Sequence, residues 1–260
     1  MINLYIKIYL YIVNMRLNIL LKLIILLSYL FQFKAIQTHD YPFHPKIHNL
    51  GNTGLGGKLH AKIAPYITKL IDYNAYNKRN IRNEIYKELI KNYDYHPYIL
   101  DLCCGVGIST PKHHKCIGID TSKEMINEAK HIHKQMKNNF LIGNAESVYD
   151  TIDFNTHFSN NNLHDFKGFD ITTIFFAFHE MPQHARQNIV SYHLNHTKDK
   201  LIIVDINPIY KPSKMMYSGE PYLFDYKENI RQDLKYAKEN VIVNNHVIMW
   251  TFDCNQNKLL

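Results

Sequence analysis

Short apolar runs recur through the middle of the chain and alternate with stretches of helical spacing. Ile99–Leu102 and Cys116–Ile119 read as buried strands, followed by Phe140–Ile142, Ile171–Phe176 and Leu201–Val204. After the second run, Met125, Ala129, Ile132 and Met136 repeat at 4-3-4 spacing, which predicts an amphipathic helix. Thr121-Ser122-Lys123-Glu124 before it reads as a capping box. Ala185, Ile189 and Tyr192 predict a helix after the fourth run. Ahead of the first run, Leu59, Ile63, Ile67 and Leu70 have helical spacing, with Pro65 as a kink or restart, and Ile81, Ile85 and Leu89 mark a second helix. The Asn- and His-rich stretch 154–167 reads as a loop insertion. Near the end, the pattern predicts a helix over Tyr226–Ala237 and two antiparallel strands, Val241–Val243 and Val247–Thr251. Strands and helices taking turns predict an α/β fold: a doubly wound, mostly parallel sheet with helices on both faces.

Ligands of such sheets bind beyond the carboxyl ends of the strands. Asp101 lies in the first strand, Asp120 closes the second, and Gly105-Val106-Gly107 stands between them, with a tight turn and a short helix expected there. A dinucleotide fingerprint requires G-x-G-x-x-G/A, and Thr110 occupies its third position. A phosphate loop fails as well. Glycines 51, 54, 56 and 57 do not fit that pattern, which would need Gly at Asn52 and Ser or Thr at Leu59.

Asp101, Gly105, Gly107 and Asp120 together resemble motif I and the following acid of the class I S-adenosylmethionine-dependent methyltransferases, small-molecule type. That resemblance implies a Rossmann-like, seven-stranded sheet and S-adenosylmethionine as cofactor. Cys103 stands where the family's first glycine would be. Glycines there allow close backbone approach to the cofactor, and Asp120 supplies acceptors for two ribose hydroxyls. As a strand-end acid, Asp120 is expected to matter little to the core. Gly143-Asn144-Ala145-Glu146 resembles the family's acid-Ala-acid motif, with the Asn144 oxygen replacing a carboxylate toward the adenine amino group. Met125 falls where the family places an apolar side chain near the adenine. The implied cofactor contacts are Asp101, Cys103, Gly105, Gly107, Asp120, Thr121, Met125, Asn144, Ala145 and Phe176. His179, just past the fourth strand, is the candidate base, with Glu180 and Asp205 behind it. Asn207-Pro208-Ile209-Tyr210 follows the fifth strand and not the fourth, so it is set apart from the similar amino-methyltransferase motif.

The net charge of +7 and pI near 9.0 allow a nucleic-acid partner. No dense basic block with interleaved aromatics is present, so a small-molecule acceptor is favoured. An RNA or protein methyltransferase and a non-catalytic methyltransferase-like protein are the alternatives. The 16 histidines show no zinc spacing, and no metal site is expected. Cys103, Cys104, Cys116 and Cys254 form no C-x-x-C pair, which favours reduced thiols. Residues 1–33 are apolar but interrupted by Lys7, Arg16 and Lys22, and Leu23–Phe33 has the length of a signal-peptide core. A signal peptide or signal anchor over residues 1–35 is therefore expected. It would lead to a secretory, membrane-anchored or organellar destination. The resemblance implies that residues 36–260 form a methyltransferase domain, with a helical lead-in over 36–95.

Overall fold

The apolar runs form one sheet. β1 (Ile99–Leu102), β2 (Cys116–Asp120), β3 (Phe140–Ile142), β4 (Ile171–Phe175) and β5 (Lys200–Ile206) are joined by parallel pairings. β6 (Lys238–Val243) and β7 (Val247–Asp253) add an antiparallel hairpin, with β7 against β5. The order is β3-β2-β1-β4-β5-β7-β6, the seven-stranded, mostly parallel sheet that the sequence resemblance implied. This computed structural model describes residues 41 and 44–257. The expected signal segment lies outside them. Among the described residues no helix is long and apolar enough to cross a membrane.

Strand alternation divides the core. Leu100, Leu102, Ile117 and Ile119 face a cluster containing Phe154, Phe158, Phe169 and Trp250. Ile99, Cys116, Ile171 and Val204 face the other side, where α2 (Ile81–Ile90) contributes Ile81, Ile85 and Leu89. Ahead of it, α1 (Gly54–Ala75) runs unbroken through Pro65, so that proline is neither a restart nor a stop.

The glycine turn departs from expectation. Residues 103–115 contain no helix. Cys103, Gly105 and Gly107 all have left-handed φ, at 53°, 54° and 76°, which no right-handed helix accommodates. Pro111 then lacks a donor and restricts Thr110 before it. The turn is covered instead by α1 and α3 (Lys123–Ile132), through Ala61, Val106 and Met125.

The helix α3 is capped by Ser122, whose Oγ accepts from Met125 N at 3.2 Å, one residue later than the predicted box. Glu124, freed from that box, accepts from Gly54 N at 3.0 Å. The buried side chains are Met125, Ile126 and Ala129; Ile132 is exposed and Met136 has left the helix. The predicted loop at 154–167 also proves partly helical. α4 (Val148–Thr151) is followed by α5 (Phe154–Asn160), capped by Asp153 and buried through Phe154 and Phe158. Later come α6 (Gln183–His196), α7 (Lys214–Gly219) and α8 (Leu223–Asp233), the last beginning and ending earlier than the pattern predicted.

Candidate functional site

The carboxyl ends of β1, β2 and β4 converge on the glycine turn. Gly105 N donates to Asp120 Oδ2 at 2.9 Å, and Ser122 N donates to Asp120 Oδ1 at 2.8 Å. Gly143 N, at the exit of β3, donates to the Asp120 carbonyl at 3.1 Å. Asp120 thus fastens the glycine turn to the start of α3, and this corrects the expectation that it matters little to the fold. Each carboxylate oxygen has a second lone pair, so the residue can still accept a ligand hydroxyl on either side. Burial pushes its carboxyl up to about 6, and the Glu180 charge acts in the same direction.

Asp101 is fully buried below the turn. Thr110 Oγ1 donates to its Oδ2 at 2.6 Å and Thr173 Oγ1 to its Oδ1 at 2.8 Å. Its visible role is to pin both ends of the turn to β4. Burial raises its carboxyl to about 6, against the lowering effect of those hydroxyls.

The two predicted glycines differ. A Cβ on Gly107 would meet Phe140 Cε1 at 2.6 Å, so Gly107 answers to packing. A Cβ on Gly105 would meet nothing within 4 Å, so its backbone faces open space that a ligand can approach. Cys103 takes the left-handed backbone expected of a glycine, a conformation that a residue with a Cβ holds only when its surroundings demand it. Burial pushes the Cys103 thiol well above its ordinary range, aided by the nearby acids. The raised proton affinity keeps it a neutral thiol.

Met125 is buried beside Val106 and Thr121 is half-buried next to Asp120. Asn144 is exposed, and its Oδ1 already accepts from Glu146 N at 3.0 Å, with one lone pair left over. Ala145 is buried; its carbonyl accepts from His193 Nε2 at 2.8 Å. Phe176 follows β4 with a left-handed φ of 54° and lies under the Arg82 guanidinium at 4.7 Å.

His179 and Asp205 meet as the sequence suggested. His179 Nδ1 lies 2.6 Å from Asp205 Oδ1, and His179 N donates to Oδ2 at 3.2 Å. Burial lowers the proton affinity of His179, but the Asp205 charge and hydrogen bond outweigh it and push its pKa up to about 9. At neutral pH the residue is an imidazolium, so it must lose a proton before acting as a base.

A strap from the lead-in, missed by sequence reasoning, crosses these strand ends. His48 Nε2 lies 2.7 Å from Glu180 Oε1 and its Nδ1 lies 2.7 Å from Glu220 Oε1. Asn52 O accepts from Ser122 Oγ at 2.5 Å, and Asn52 Oδ1 pairs with His60 Nδ1 at 3.1 Å. The glycines answer to this strap. A Cβ on Gly56 would lie 2.0 Å from Leu50 O, one on Gly57 2.4 Å from Asn52 C, and one on Gly219 2.5 Å from Asn49 Nδ2. Gly56 and Gly57 therefore mark a close backbone crossing, whereas Gly51 and Gly54 take left-handed φ of 68° and 63°. Its density of glycines was the available signal. Tyr41 OH also donates to Glu146 Oε1 at 2.5 Å.

Asp120, Glu146, Glu180 and Glu220 make this end of the sheet rich in carboxylates, with His48 and His179 among them. Such a field attracts cationic ligands and repels phosphates. The absence of a helix N-terminus behind the glycine turn also removes the usual pyrophosphate cradle.

No family model and no curated protein matches the chain. Among solved structures it is similar to an S-adenosylmethionine-dependent methyltransferase from Clostridium acetobutylicum, at TM-score 0.48 and 13% identity over 72% of this chain and 97% of that one. It is also similar to the magnesium protoporphyrin IX methyltransferase of Synechocystis PCC 6803 with its cofactor bound, at TM-score 0.46 and 12% identity over 70% and 81%. A plantazolicin methyltransferase matches at TM-score 0.45 and 16% identity over 76% and 95%. Likenesses this distant add nothing to the strand order already described.

Proposed function

We propose that this protein is an S-adenosylmethionine-dependent methyltransferase acting on a small molecule. The observation that carries the reading is the Asp120 carboxylate, fastened at 2.9 Å to Gly105 N beside open space above that glycine. A glycine backbone facing open space beside a carboxylate, with further acids nearby, suits a ligand with a vicinal diol and a positive charge. The cofactor supplies a sulfonium-activated methyl group. Asp120 would hold the ribose hydroxyls, Gly105 would admit the amino-acid end, and Met125 with Asn144 and Ala145 would flank the adenine. His179, once deprotonated, would take the acceptor's proton. The strap carrying His48 would limit water at the reacting atoms.

The same acid-rich strand ends favour a small acceptor over a polyanionic nucleic acid. Titration calorimetry with S-adenosylhomocysteine and with NAD⁺ tests the reading: binding of the first alone is expected, and binding of NAD⁺ alone contradicts it. We further propose that residues 1–35 direct the chain to a membrane-bounded route. A reporter carrying residues 1–40 should leave the cytosol, and a diffuse cytosolic signal would count against this.

A further inference from the structure

We propose that His48, Glu180 and Glu220 form a binding site for a divalent transition-metal ion, of the Mn²⁺ or Zn²⁺ class, on the acceptor side of the pocket. One potential ligand atom from each residue lies within 4.8 Å of the other two. The contacts His48 Nε2–Glu180 Oε1 and His48 Nδ1–Glu220 Oε1 are both 2.7 Å. Metal–nitrogen and metal–oxygen bonds of about 2.0–2.2 Å place neighbouring ligand atoms roughly 3 Å apart. The two contacts use different nitrogens of one ring, so a single ion would take one nitrogen and draw in the other carboxylate, whose ligand atom lies within 4.8 Å.

A second observation points the same way. Glu220 is only 6% exposed, yet its Oε2 is buried and has no hydrogen-bond partner among the described residues. A buried carboxylate oxygen without a partner is costly, and a cation is one of the few groups that satisfies it. Oε1 of the same carboxylate already meets His48, so the group is turned toward the cluster. The His60 ring packs edge-on against His48 at 4.5 Å between centroids, and Asn52 fixes His60. This is an outer layer of the kind that orients metal ligands.

The donor set selects the ion class. Two carboxylates balance a dication, and one imidazole shifts preference from Mg²⁺ and Ca²⁺ toward Zn²⁺ and Mn²⁺. Three protein ligands leave positions open, as catalytic sites do. The next step rests on the methyltransferase reading. An acceptor hydroxyl bound at an open position would be more acidic. Its proton would leave to the base proposed above. The oxygen would then form the O–CH₃ bond as the C–S bond breaks, leaving a neutral thioether. The acceptor class is thus an oxygen nucleophile.

The test uses full-length protein stripped with a chelator. Calorimetry with MnCl₂ and ZnCl₂ should give about one site per chain, weakened at least ~10-fold in Glu220→Gln and in His48→Ala, and unchanged in the distant control Glu239→Gln. In wild-type protein, Mn²⁺ should broaden the NMR signals of His48, His60 and His179 before those of the remaining histidines, a readout that survives if a variant fails to fold. No Mn²⁺ or Zn²⁺ binding, or broadening centred elsewhere, would overturn the site and leave His48 as an ionic bridge. Titrating S-adenosylhomocysteine into the same samples separates the two readings. Metal bound without it overturns the methyl-transfer role; the converse overturns the metal site alone.

Discussion

Gly105 N and Asp120 Oδ2, 2.9 Å apart, join the glycine turn to the end of β2. One carboxylate therefore serves both the turn and any ligand above it. Because burial raises the Asp120 carboxyl to about 6, lowering the pH through 6 protonates it. A cationic, diol-bearing ligand then loses its charged acceptor. Affinity for S-adenosylmethionine should be level above about pH 7 and fall by roughly tenfold for each charge-assisted bond weakened below pH 6. Fluorescence titration between pH 5 and 8 checks this, and affinity that rises on acidification contradicts it.

Cys103 holds φ at 53°, where a β-branched side chain is a severe misfit. Cys103→Val should destabilise the protein by about 1–3 kcal/mol and weaken cofactor binding. Cys103→Gly should preserve both, since glycine adopts that backbone without strain. Urea unfolding of the three proteins decides it; equal midpoints for Val and Gly would show that the conformation is not required.

For His179, the folded pKa is about 9 and the ordinary value 6.5. Its stabilising pair with Asp205 is fully present below pH 6.5 and is lost as pH rises through 9. Thermal stability should fall between pH 7 and 9.5 in the wild type, and this slope should flatten in His179→Gln. An NMR titration of the imidazole should show the ring still protonated at pH 8. A midpoint near 6.5 would show that Asp205 does not hold the proton there.

The loop carrying His179 is itself anchored by a buried cation. Arg186 is fully buried; its Nη1 donates to Met181 O at 2.8 Å and its Nε to Asp233 Oδ2 at 2.8 Å, and Nη2 reaches Asp225 at 3.0 Å. Removing one partner leaves Asp233 buried without its counter-charge. Arg186→Leu should cost about 3–5 kcal/mol, read by chemical denaturation, whereas a loss below about 1 kcal/mol would show that water replaces the pairing.

Much of this was legible in the sequence because the signals are local. The five parallel strands follow from short apolar runs, and Asp120 and His179 from their places at strand ends. The missing helix after Gly107 was hidden because apolar spacing does not reveal φ, and Cys103 does not advertise a left-handed backbone. Helix α5 was masked by Asn and His, although Asp153 with Phe154 and Phe158 is a cap followed by an i, i+4 pair. His48, Glu180 and Glu220 could not be joined at all. They come from three separated segments, and only the folded strap brings them within hydrogen-bond distance.

The most direct measurement is calorimetric titration of S-adenosylmethionine and S-adenosylhomocysteine into wild-type, Asp120→Asn and Asp120→Ala protein, each shown to be folded by circular dichroism. Asp120 also accepts from Gly105 N and Ser122 N, so Asp120→Ala should lose about 1–3 kcal/mol of stability. It should bind both ligands roughly 10- to 100-fold more weakly. Asp120→Asn, which keeps one acceptor oxygen, should fall between. Affinity for both ligands that is indifferent to Asp120, or no measurable affinity in the wild type, would contradict the account.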